Sequence, residues 1–191
     1  MPTPANAPLS MAERLDPTVH AALARSLGSL SHASALMATL DWALHLAASP
    51  GQRMDLAHLA LRQGQEMAAY ALARMAAGPD KEARHAVATP TQDRRFADPA
   101  WQQWPFNLLH QSFVLSEQWW AAATHGVWGV DKHHEDMVAF AARQFLDIFS
   151  PGNQVATNPV VLNRTLQQGG ANLMRGALHL LDDARRHAAG M

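Results

Sequence analysis

"RFADPAWQQWPFNLLHQSFVLSEQWW", residues 95–120, holds four of the six Trp and three of the six Phe of a 191-residue chain. Asp98-Pro99 near its start suits a helix N-cap followed by Pro at the first helical position. Past Pro105 the apolar residues recur at helical spacing. Leu108, Leu115 and Trp119 share one face, and Phe106, Leu109, Phe113 and Trp120 share a neighbouring one. Two apolar faces exceed what a one-sided surface helix needs. Either this helix is buried on two sides, or one aromatic face docks on a partner or an apolar surface. Trp101, Trp104, Phe106, Phe113, Trp119 and Trp120 are the candidate docking residues.

The same punctuation recurs outward from this stretch. Asp16-Pro17, Ser49-Pro50 and Asn158-Pro159 also pair a capping residue with Pro, and Ser150-Pro151-Gly152 reads as a helix stop and turn. Strand signals are nearly missing. The expected fold is all-α with no sheet: a helical hairpin over about 31–77, then a helical domain over about 99–188 with mostly antiparallel helices. Residues 1–30 read as a mostly disordered lead, with a short helix after Asp16. One helix is expected over about 31–48, with Ala33, Leu36, Met37, Leu40, Leu44 and Ala47 as its stripe. A second starts after Ser49 and ends near Gly78-Pro79, with Met54, Ala57, Leu61, Ala68, Leu72 and Met75 as its apolar positions. Residues 78–98 are polar and without a period, and read as a linker. Helices follow over about 105–124, 132–149 and 159–188. Gly169, Gly170 and Gly176 cost the last one helix propensity, which implies close packing there or a kink at the Gly pair.

Composition excludes several classes. The net charge is −1 with His neutral, so nucleic acid is not the expected partner. The chain has no Cys, which removes disulfides, Cys-based zinc sites and a cysteine nucleophile. No secretory signal and no run of 18 apolar residues is read, so a cytoplasmic protein without a transmembrane segment is expected. Asn163-Arg164-Thr165 matches a glycosylation sequon by chance in that setting.

Chemistry-bearing clusters are few. His133, His134, Glu135 and Asp136 in "VDKHHEDM" are ligand types, but adjacent histidines diverge by about 100° on a helix. The stretch reads better as a charged first helical turn capped by Asp131. Asp41 and His45 stand i,i+4 and can pair. Nucleophile elbows, phosphate loops and dinucleotide fingerprints are missing. No catalytic, cofactor-binding or metal-ligating residue is assigned, and no cofactor is expected.

Three stretches read together resemble one family. Residues 95–120 resemble the start of the N-terminal domain of polyhydroxyalkanoate synthases, also called poly(3-hydroxybutyrate) polymerases. "FAARQFLDIFSPGNQVATNPVVLNRTLQQGGANLMRGALHLLDD", residues 140–183, resembles its continuation. "LMATLDWALHLAASPGQRMDL", residues 36–56, resembles an upstream segment that some members carry. The resemblance covers about residues 34–183. Trp104 stands where Asn is usual before Pro105, and Phe113 where Tyr is usual.

The resemblance implies a non-catalytic region that precedes an α/β-hydrolase-like catalytic domain. In the family a Cys nucleophile, a His base and an Asp in that domain polymerise hydroxyacyl groups from hydroxyacyl-CoA. No position here matches that motif, so the catalytic domain is expected to be absent and the chain inactive alone. The implied roles are dimerisation, activity support and granule attachment. The implied partners are a synthase catalytic domain, a second synthase subunit, or the surface of a cytoplasmic polyester granule. A free-standing granule-associated or regulatory protein is the alternative.

Overall fold

A computed structural model describes residues 11, 15–17, 19, 32–77 and 94–188. Six helices have bounds within them: α1 His32–Ala47, α2 Pro50–Ala77, α3 Phe106–Thr124, α4 Lys132–Ile148, α5 Pro159–Gln167 and α6 Ala171–Ala188. Short 3-10 turns lie at Pro99–Gln102 and Pro151–Asn153. No strand occurs among the described residues, so the fold is all-α as expected. No described helix is long and apolar enough to cross a membrane. Most of the 1–30 lead and residues 78–93 of the linker lie outside the described residues. Residues 15–17 are helical, so Asp16 sits within helical backbone rather than ahead of it.

The chain divides into two compact units, residues 1–53 with 124–141 and residues 54–123 with 142–191. In the first, Ala38 of α1 is 1% exposed and packs on Met137 and Val138 of α4, with Trp42 beside them. A small side chain at a helix crossing lets the two backbones approach. This contact corrects the stripe expected from apolarity alone. Leu36, Met37, Leu40 and Leu44 all face solvent. The contact is made by Ala38 and Trp42 together with Asp41, whose carboxylate is satisfied by hydrogen bonds described below.

In the second unit the same correction applies to α2. Leu56, Gln63 and Tyr70, spaced seven apart, are its buried line, while Met54, Leu61, Leu72 and Met75 are exposed. Two of the three buried residues are polar, which misleads a search for apolar periodicity. Burial is affordable because each has a partner. Gln63 donates through Nε2 to the Leu115 carbonyl at 3.2 Å, and Tyr70 Oη accepts from Asn107 Nδ2 at 3.1 Å. Trp119 adds an indole N–H to the Leu56 carbonyl at 3.1 Å.

The core of this unit begins upstream of the aromatic helix. Asp98 accepts the Ala100 N–H at 2.9 Å, as a capping residue should, and starts the turn that turns Trp101 inward. Phe96, expected within the linker, is 3% exposed and joins Trp101 and Phe113, with Phe106 and Leu146 against them. Its ring meets Trp101 edge-on at 4.8 Å and lies nearly parallel to His110 at 4.5 Å. Arg95 locks the segment down. Its guanidinium bonds both Glu117 oxygens at 2.7 and 3.0 Å and Asp147 at 3.1 Å. It also sits 5.5 Å from the Phe96 ring and 5.4 Å from the Phe113 ring.

The helix expected over 159–188 is two helices. Asn158 caps α5 by accepting from Val160 and Val161 at 3.0 and 3.2 Å. Gly169 and Gly170 then take φ of +56° and +85°, which ends α5 rather than kinking it. Ser49 differs from Asn158 in use. Its hydroxyl turns back to the His45 carbonyl at 2.7 Å.

Candidate docking site

Six aromatic side chains are candidates for a docking surface, against the alternative of a helix buried on two sides, and the structure parts them. Trp101 is 1% exposed and Phe113 is also buried, so both rings face the core of their own unit. Phe106 is half-buried against that core, its ring edge-on to Trp101 at 6.4 Å. Trp104, by contrast, is 67% exposed, and the peptide bond joining it to Pro105 is cis.

Trp119 and Trp120 are half-buried and meet edge-on at 5.4 Å. They wall a groove of about 320 Å³ with Ser112 and Ser116 of α3 and Gly64 and Met67 of α2. Among the described residues that line it, none is ionisable. Its hydroxyls are already committed, Ser112 to the Leu109 carbonyl at 3.0 Å and Ser116 to the Ser112 carbonyl at 2.8 Å. Such a groove can hold an uncharged or apolar surface.

The polar constellations sit in the other unit. Asp131 caps α4 by accepting from the His133 N–H at 2.8 Å, as the sequence implied. Lys132 bridges Glu135 at 2.7 Å and Asp136 at 2.9 Å. Those carboxylates push the ammonium up to about 12, the Glu135 hydrogen bond first among the causes. Glu135 is held below its usual range by Lys132 first, then by the Gly126 N–H at 2.7 Å. Among the described residues no three His, Asp or Glu gather as a metal site would require.

Asp41 is a hub that sequence reading saw only in half. His45 reaches one carboxylate oxygen at 3.0 Å, as the i,i+4 spacing suggested. The other oxygen accepts from His134 Nδ1 at 2.7 Å and from the Asp131 N–H at 3.2 Å. The His134 hydrogen bond is the largest cause holding the Asp41 carboxyl below the ordinary carboxylate range. A depressed folded value means that the tie is fully present above the ordinary carboxylate pKa of about 4 and is lost as pH falls through the folded value. Stability of the wild-type chain should therefore show an acid limb below about pH 4 that flattens in Asp41→Asn. Thermal melts from pH 7 to pH 2.5 read this directly. Parallel limbs in the two proteins would show that the hub contributes nothing.

Sequence reading also passed over Trp128. It stands between Gly126 and Gly129 and is 89% exposed. Its available signal was Trp in a Gly-Val-Trp-Gly turn, where no core-forming period surrounds it.

Comparison with known proteins agrees with the resemblance. Residues 92–191 match the family described as poly-beta-hydroxybutyrate polymerase (PhaC) N-terminus, and residues 10–52 match poly-beta-hydroxybutyrate polymerase N terminal. A poly(3-hydroxyalkanoate) polymerase of Methylorubrum extorquens is 42% identical over 98 residues, 51% of this chain and 16% of that protein. The poly(3-hydroxyalkanoate) polymerase subunit PhaC of Rhizobium meliloti is 34% identical over 92 residues, 48% of this chain and 15% of that protein. The corresponding Cupriavidus necator subunit is 30% identical over 98 residues, 51% of this chain and 16% of that protein. The chain thus matches about a sixth of the length of these relatives. No solved structure matches it. With its all-α fold and a match over residues 92–191, the chain belongs to the poly-beta-hydroxybutyrate polymerase family and corresponds to the N-terminal region of those proteins.

Proposed function

We propose that this chain is the non-catalytic helical region of a polyhydroxyalkanoate synthase, which supports a catalytic polypeptide that polymerises 3-hydroxyacyl-CoA. The match of residues 92–191 to the N-terminal polymerase family carries the reading. In it, residues 99–188 together with Arg95 and Phe96 belong to the synthase N-terminal domain, 31–77 form an upstream helical segment, and the linker between them ends before Arg95. The chain's partner in this reading is the catalytic domain of a polyhydroxyalkanoate synthase or a second synthase subunit. Trp104 and the Trp119–Trp120 groove are the docking elements within the aromatic set. They remain open to contact, whereas Trp101 and Phe113 are used inside the fold.

One observation favours attachment to a polyester granule surface in the cytoplasm as a second role. The α6 face bearing Leu173, Met174, Leu178 and Leu181 is exposed, and the opposite side carries His179, Asp183 and Arg186. Such a helix can lie along an apolar–water interface.

The test is CoA release from 3-hydroxybutyryl-CoA, by this chain alone and in a mixture with a separately expressed catalytic polypeptide. The expected result is no release alone and faster release by the mixture. Release by the chain alone would overturn the non-catalytic assignment. An unchanged rate in the mixture, with co-sedimentation on polyester particles, would leave the attachment role standing by itself.

A further inference from the structure

Trp128 is more exposed than any other large apolar side chain among the described residues. A solvated indole is unremarkable on a loose loop, but this turn is tied down. Val130 N–H returns to the Val127 carbonyl at 3.3 Å, closing a turn with Trp128 and Gly129 at its centre. Val127 is 4% exposed and roots one side. The Gly126 N–H is held by Glu135 at 2.7 Å, and the Asp131 N–H by Asp41 at 3.2 Å. The His45 ring covers Gly129, close enough that a Cβ there would fall 2.5 Å from its Cδ2. The backbone that carries the indole is therefore ordered before any partner arrives, which removes much of the entropic cost of binding.

We infer that Trp128 is a single-ring anchor that enters a pocket on the synthase catalytic polypeptide, and that the rim of this pocket is basic. The inference rests on the docking function proposed above and adds a contact to it. The surroundings of the ring favour a protein recess over a lipid or polyester surface. Val127 is buried and Val130 half-buried, so among the described residues of the turn Trp128 is the one fully exposed apolar side chain. Asp131, Lys132 and His133 stand exposed beside it. A flat apolar phase deep enough to take the indole would take those polar groups as well, at a large desolvation cost. A recess for one ring leaves them at its border, in water, as in the anchored centre of a protein interface. The border charge follows from the same residues. Among the described residues here, Asp131, Glu135 and Asp136 stand beside one ammonium, Lys132, which Glu135 and Asp136 already share. Arg or Lys on the partner rim complements that excess of carboxylate.

The test measures binding of the full chain to the immobilised catalytic polypeptide by interferometry, at low and high salt. Trp128→Ala should weaken binding about thirtyfold, Trp128→Phe should fall between, and salt should slow association of the wild type. The ring is solvated, so the melting curve of Trp128→Ala should match the wild type, and Trp128→Gln provides a second removal of the ring. Wild-type affinity in both the Ala and Gln variants would overturn the anchor while leaving the docking function intact. No binding by the wild type would overturn both. Loss of binding to polyester particles or anionic vesicles, with binding to the polypeptide unchanged, would overturn the anchor in favour of a surface role.

Discussion

Trp101→Ala should destabilise the second unit by about 3–5 kcal/mol, while Trp104→Ala three residues away should stay within about 0.5 kcal/mol of wild type. The two rings lie in one short segment and differ in what they touch. Trp101 is 1% exposed, held edge-on by Phe96 at 4.8 Å and by Phe106 at 6.4 Å, with Phe113 and Leu146 in the same cluster. Its removal leaves a cavity as well as lost transfer energy, because Arg95 pins the Phe96 segment to Glu117 and Asp147 and limits collapse. Native stabilities are about 5–15 kcal/mol, so this single change consumes a large share. A drop in Tm of roughly 10 °C is the visible consequence. Thermal and urea melts of the two variants decide it, and similar midpoints for both would refute the division between core and surface rings. The same pair informs docking. Trp104→Ala, being folded, is the variant in which a loss of synthase activation is attributable to the surface.

Locally determined features were legible in the sequence, and faces were not. Asp98 and Asn158 cap where they were read, because a side-chain oxygen reaching its own backbone two or three residues on needs no tertiary context. Helix spans agree within a residue or two for α1 to α4 for the same reason. The Gly169–Gly170 break was only partly legible, since a Gly pair permits both a kink and a full stop. The buried faces of α1 and α2 are not legible in the sequence, because their apolar stripes do not mark the inside. Gln63, Tyr70, Asn107 and Asp41 are inward or half-inward polar groups whose partners lie far off in sequence, Leu115, Asn107, Tyr70 and His134. Periodicity contains no information about such pairs. The apolar stripes left outside, on α1 and α2, are instead surface that the described chain does not cover. The aromatic set was legible as a set, but its partition was not. Phe96 lay in a segment with no period, and it is the residue that draws Trp101 and Phe113 inward.

Gly129→Ala should cost the first unit about 2–5 kcal/mol, from two sources that can be separated. The backbone at Gly129 has φ +92°, a region that L side chains rarely adopt. The new Cβ would also lie 2.5 Å from His45 Cδ2 and 2.9 Å from its Nε2. That ring cannot simply swing aside. Its Nδ1 faces the Asp41 carbonyl at 2.9 Å and the Asp41 carboxylate at 3.0 Å, and Asp41 also holds His134. Displacing His45 therefore disturbs the hub that joins α1 to the start of α4. Gly126 provides the contrast. Its φ is +71°, yet a Cβ there meets nothing within 4 Å, so Gly126→Ala should cost the backbone part alone, about 1–3 kcal/mol. A double-mutant cycle isolates the steric part, because His45→Ala removes the obstructing ring. Gly129→Ala made in that background should cost about as much as Gly126→Ala. Equal costs for Gly129→Ala with and without His45 would show that the ring yields freely and that the turn is not braced by it. The braced turn also carries Trp128, so the variant that strains it should weaken binding of the catalytic polypeptide even under conditions where the chain stays folded. A Gly129→Ala protein that is destabilised yet binds at full strength would separate the rigidity of the turn from its use.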